Sequence, residues 1–143
     1  MKPAPDSLEG YPHHLNIPTR WADNDAYGHV NNAVYYFYFD TVVNTWLIEN
    51  NLLDIGKSET IGLVVETGCS YFAPLKFPEI ITAGLRAAKI GGSSVRYEIA
   101  LFGEGQTVAA AQGHFIHVYV DEKTRAATPI SDRMRKILGE IMK

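Results

Sequence analysis

One cysteine, Cys69, stands in the whole 143-residue chain. That excludes an internal disulfide framework and a Cys-rich zinc site, and it fits a reducing, cytoplasmic setting. Nowhere do about 18 apolar residues run together, so no membrane insertion is expected. The first twelve residues hold three prolines and no apolar stretch of signal-peptide length. Net charge is −3 and the 13 Lys and Arg are scattered, which leaves no basic footprint for nucleic acid. A Gly-x-Ser-x-Gly elbow, a Walker loop and a dinucleotide glycine fingerprint are all missing. Serine hydrolases, nucleoside triphosphatases and Rossmann dehydrogenases therefore lose their usual sequence support.

What is present is a chain 46% hydrophobic and of single-domain size, read as a flexible tail over 1–12 and one domain over 13–143. Leu15, Ile17 and Thr19 alternate as in a short strand that Pro18 confines to an edge or a bulge. From Ala33 to Glu49 an apolar and aromatic pattern runs without Gly or Pro, which predicts a long helix. Its polar residues Asp40, Thr41, Asn44, Thr45 and Glu49 form one narrow stripe, so the helix is expected to be largely wrapped by a sheet. Four β-rich stretches follow, Ile61 to Phe72, Ile80 to Ile90, Ser94 to Phe102 and Thr107 to Asp121, and their turn signals predict an antiparallel meander. Ser131 is placed to cap a short amphipathic closing helix. The fold class is α+β, a curled sheet around one helix, and a homodimer that continues the sheet would cover the edge and concave face left open.

Chemistry concentrates at the entrance to the long helix, over Asp23-Asn24-Asp25-Ala26-Tyr27-Gly28-His29-Val30-Asn31-Asn32. Asn31 is the expected N-cap, and Val30 with Tyr35 has the spacing of a hydrophobic staple. Asp25, the carboxylate nearer the helix, suits a nucleophile or a general base, and the amides at Asn31 and Asn32 suit an oxyanion. Gly28 would leave room for a carbonyl to approach, and its alternative is an ordinary turn glycine. His29 could polarise a carbonyl or serve as a structural hydrogen-bonder. Asp23 and Asp25 share a face if extended and diverge in a turn. Glu66 is an auxiliary carboxylate or a surface residue, depending on which parity of its strand faces the helix. His114 and His117, three apart on a strand, would point to opposite faces, and no metal site is expected. Arg86, Lys89 and Arg96 read as surface charges.

The stretch Trp21 to Asn32 followed by Tyr35-Tyr36 resembles the hot dog fold acyl-CoA thioesterases of the 4-hydroxybenzoyl-CoA thioesterase type, in their general acyl-CoA branch. Tyr71-Phe72-Ala73-Pro74-Leu75, Ile90 to Ser94 and Val120-Asp121 to Pro129 agree with it. The resemblance implies a five- or six-stranded antiparallel sheet around a central helix, homodimers that assemble to tetramers, and acyl-CoA as the bound partner between protomers. No cofactor is implied. The catalytic aspartate falls on Asp25 and the oxyanion amide near Asn32, with Tyr27 also at the substrate. The phosphopantetheine arm would pass the partner's Ser70, Tyr71, Gly91, Gly92, Ser93 and Ser94. A non-catalytic acyl-carrier binder and a hydratase or dehydratase of the same fold are the alternative functions.

Overall fold

The computed structural model describes residues 3–143. Five strands, β1 (His13–Pro18), β2 (Thr60–Tyr71), β3 (Ile80–Ile90), β4 (Ser94–Phe102) and β5 (Ala111–Asp121), form one antiparallel sheet in the order β1-β3-β4-β5-β2. The helix α1 (Val34–Glu49) packs on one face and the short α2 (Asp132–Gly139) closes the molecule. Strand alternation sets that face: Ile81, Ala83, Leu85 and Ala87 of β3 and Val95, Tyr97, Ile99 and Leu101 of β4 are fully buried beside Phe39, Val42 and Val43 of α1. Pro18 ends β1 on the sheet edge, where a missing N–H costs no ladder bond. Ser131 Oγ accepts Met134 N–H at 3.1 Å and caps α2.

Three expectations need correcting. The meander holds only from β3 to β5, because β2 lies beyond β5 and not beside β3. The connection 72–79 crosses the end of the sheet instead of making a hairpin, and Phe72 and Ala73 donate their N–H groups to Ala110 C=O. Second, the exposed side of α1 is not only the polar stripe: Phe37 is 65% exposed, and Val64 and Val65 at the β2 edge are exposed too. Third, the described part of the segment read as a flexible tail, residues 3–12, is tied down. Leu8 N–H bonds Thr107 C=O and Ala109 N–H bonds Asp6 C=O, both at 2.9 Å. Tyr11 is buried on the outer face of the sheet, edge-on to Phe102, with the Arg86 guanidinium 4.4 Å from its ring centre. Gly84 makes this possible, since a Cβ there would lie 2.8 Å from the Tyr11 side chain.

Candidate active site

The loop before α1 is a three-residue hairpin whose ends meet at an Asn24–Val30 bridge. Gly28 N–H bonds Asp25 C=O at 3.2 Å and Asp25 N–H bonds His29 C=O at 2.8 Å, a type I turn closed by a glycine in the left-handed region. Gly28 has φ +79°, and a Cβ there would meet nothing within 4 Å. The positive φ accounts for the glycine by backbone conformation, the turn-glycine alternative at this position. Asp25 Oδ1 accepts Tyr27 N–H at 2.8 Å, which fixes the half-exposed carboxylate and leaves Oδ2 for other partners.

Asp23 goes the other way. Its carboxylate is 1% exposed and accepts from Tyr38 Oη (2.7 Å), Arg20 N (2.8 Å), Arg20 Nε (3.0 Å) and Arg20 Nη2 (2.9 Å). Burial alone would raise its pKa, but the bonds from Tyr38 and Arg20 outweigh it and hold the group below the usual range. The two aspartates thus diverge, as the turn alternative requires. Asp23 C=O also accepts Asn31 N–H at 2.9 Å.

That last bond removes Asn31 from the oxyanion set. Asn31 instead acts on the helix entrance: its Oδ1 accepts Ala33 N–H and its C=O accepts Val34 N–H, each at 2.9 Å. Val30 and Tyr35 are both buried in the core beneath this turn. Among the described residues no acceptor takes Asn32 N–H, while Asn32 C=O receives the Tyr71 hydroxyl at 2.9 Å. Asp25, His29, Asn32, Tyr35, Tyr71 and the 72–74 segment line an open cleft of about 400 Å³. His29 gives its carbonyl to the turn and exposes its side chain on the cleft wall. A larger cavity of about 720 Å³ adjoins across His29, Phe72, Ala73 and Pro74.

Not every residue singled out in the sequence joins this cleft. Thr67, Cys69 and Tyr71 oppose Phe115, Gly113 and Ala111 on the helix side of the sheet, so Glu66 and Ser70 point to the outer side. Glu66 Oε2 pairs there with His114 Nε2 at 2.9 Å, and its expected role beside Asp25 within one chain is corrected. Parity alone could not show this, because a bulge at Val65 shifts the register of β2. Tyr27 is at the exposed loop tip, outside the cleft. Gly91, Gly92, Ser93 and Ser94 form the β3–β4 turn at the opposite end of β4 from Leu101, roughly 20 Å away at the rise of a strand. Arg135 and Ile130 N–H already bond the Gly91 and Gly92 carbonyls. One chain therefore does not bring this turn to Asp25.

His117 faces inward and His114 outward, and among the described residues no three His, Cys, Asp or Glu side chains group as metal ligands. His117 is 4% exposed among the rings of Tyr97, Phe115 and Tyr119, with neither ring nitrogen bonded among the described residues. Burial pushes its pKa down to about 4. Burial also pushes the Cys69 thiol up to about 11, so it stays protonated at neutral pH. The supports that sequence reasoning missed are Tyr38 and Arg20, which brace Asp23 across the fold. Only Arg20, three residues before Asp23 at the turn, had a local signal.

Residues 19–138 match the family model of the thioesterase-like superfamily. Among solved structures, the PA5185 protein of Pseudomonas aeruginosa is 50% identical and superposes with a TM-score of 0.94 over 97% of both chains. A candidate thioesterase of the same organism, PA2801, is 29% identical with a TM-score of 0.81, over 88% of this chain and 97% of its own. A thioesterase from Thermus thermophilus, solved with coenzyme A and Zn, is 26% identical with a TM-score of 0.74, over 92% of this chain and 98% of its own. No curated protein matches the chain. No helix among the described residues is long and apolar enough to cross a membrane. With a five-stranded antiparallel hot dog sheet, a carboxylate turn at the helix entrance and a family match over most of its length, the chain belongs to the thioesterase-like superfamily.

Proposed function

We propose that this protein hydrolyses the thioester of an acyl-CoA to a free acid and CoA. The observation that carries the reading is that one cleft holds both the Asp25 carboxylate, one oxygen uncommitted, and the Asn32 amide, free of an acceptor among the described residues. A thioester carbonyl needs those two things: an electron-rich oxygen for its carbon and a donor for the charge that develops on its oxygen. Family membership and a coenzyme A complex among the similar structures support the substrate class.

Asp25 Oδ2 either attacks the thioester carbon or takes a proton from a water that does. In the first route the carbonyl oxygen becomes an oxyanion bonded to Asn32 N–H, the C–S bond breaks, CoA leaves as thiolate, and water cleaves the acyl–Asp25 anhydride. In the second, water forms the same oxyanion and the C–S bond breaks without an anhydride. Neither route requires a cofactor. A second copy pairing along the free edge of β2 would bring its Gly91–Ser94 turn and its Ser70 toward a CoA arm, with further assembly to a tetramer; the exposed Val64 and Val65 favour such pairing.

The test is a panel of acyl-CoA thioesters with a thiol-detecting dye, run on the wild type and on Asp25→Asn. Thiol release by the wild type, reduced by about 10³-fold in the variant, is the expected result, in the range of losing a general base. Tight binding without thiol release would instead establish a carrier-binding protein, and a double-bond absorbance change would establish a hydratase.

A further inference from the structure

The Asn32 N–H belongs to the 31–32 peptide, whose own carbonyl accepts Val34 N–H at 2.9 Å, and the peptides on either side of it are tied as well. Asn31 N–H is tied to Asp23 C=O, Ala33 N–H to Asn31 Oδ1, and Asn32 C=O to the Tyr71 hydroxyl, each at 2.9 Å. Only the third bond reaches across from the sheet: Tyr71 ends β2, whereas the other two are made within the loop. The Tyr71 ring is in turn fixed edge-to-face on the buried Tyr35, with ring centres 4.9 Å apart. Burial keeps the Tyr71 hydroxyl protonated through the working pH range, so it remains a donor.

From this we infer that Tyr71 is a positioning residue for the oxyanion donor: by fixing the 32–33 peptide it holds the Asn32 backbone, and with it the adjoining 31–32 N–H, in the direction the developing charge requires instead of gripping the pantetheine arm. The inference rests on the thioesterase reading above. An amide that must swing into place during the reaction forfeits part of its stabilisation to reorganisation, and a preorganised one does not. The Tyr71 hydroxyl supplies that preorganisation from the rigid end of a strand, leaving Asn32 N–H itself free.

Tyr71→Phe keeps the ring on Tyr35 and removes only the hydroxyl. The expected result is a kcat lowered roughly 10- to 50-fold, less than the ~10²–10³ of losing a donor outright, with KM changed less than about threefold, because ground-state contacts are untouched. The second measurement is a double-mutant cycle with Asn32→Pro, which deletes the amide proton two residues ahead of α1, where no backbone bond among the described residues is lost. If Tyr71 acts through that amide, Tyr71→Phe has no further effect on kcat in the Asn32→Pro background. A purely structural tyrosine would lower the melting temperature and leave kcat, or lower kcat equally in both backgrounds. Undiminished kcat in Tyr71→Phe, additive effects in the cycle, or a raised KM at constant kcat would each overturn the inference while the thioesterase reading stands. A wild type that releases no thiol from any thioester would overturn both.

Discussion

Two carboxylates two residues apart meet opposite fates. Asp23 is 1% exposed, accepts four bonds from Arg20 and Tyr38, and has no oxygen left for a ligand. Asp25 is half exposed, uses one oxygen on Tyr27 N–H, and lines a cleft with the other available. The same contrast separates the neighbouring asparagines, Asn31 with its amide spent on Asp23 and Asn32 with its amide open. A catalytic loop of this kind is built in pairs: one member is committed to the scaffold so that the next can be held ready without being satisfied.

Breaking the ready half should cost activity and spare the fold. The largest expected effect after Asp25→Asn is that of Asn32→Pro, a ~10²–10³-fold fall in kcat with the melting temperature nearly unchanged, since that N–H makes no bond among the described residues; steady-state kinetics and a thermal melt check it. An activity near wild type would hand the oxyanion role to another donor. At the opposite end of the sheet His117 supplies the contrast of a titratable group committed to the core. The unfolded chain takes up this proton near 6.5 and the folded chain only near about 4, so stability present above pH 6.5 is lost as pH falls towards 4, by about 3 kcal/mol. His117→Leu should flatten that window in denaturant titrations at pH 7 and pH 4.5.

Breaking the committed half should cost stability first. Asp23→Ala leaves the Tyr38 hydroxyl buried without its acceptor and should lower unfolding free energy by about 1–3 kcal/mol, read by chemical denaturation at pH 7. Because the Asp23 carboxyl is held below its ordinary range, its contribution is present above that range and is lost as pH falls below it, down through the lowered pKa of the folded state. The smallest effect is that of Gly28→Ala, about 1–2 kcal/mol for a Cβ at φ +79°. Its kcat loss should follow from a displaced Asp25, since a Cβ there touches nothing else in the chain.

The parts of the molecule that announce themselves locally were readable from the residues. The run from Val34 to Glu49 contains no helix breaker, and Gly91-Gly92 and Gly103-Glu104-Gly105 mark turns between strands whose bounds agree closely with β3 and β4. The place of β2 was not readable, since strand order depends on where the 72–79 connection runs and not on the strand's own pattern. The orientation of Glu66 turned on one bulge residue, Val65. Three prolines made residues 1–12 look loose, but Tyr11 and Leu8 anchor the described part of that segment by contacts about 100 residues away, at Phe102 and Thr107. At the candidate site, the Asp25 turn and helix entrance were legible as motif and spacing. Which of Asn31 and Asn32 keeps a free amide depends on a single bond to the Asp23 carbonyl, and no residue pattern encodes it.

The most direct measurement is a crystal structure of Asp25→Asn with an acyl-CoA held unreacted. The thioester oxygen is expected about 3 Å from Asn32 N, with its carbon facing the residue-25 side chain. A thioester bound away from that loop, or an Asn32 amide capped by the protein itself in the complex, would contradict a mechanism built on these two groups.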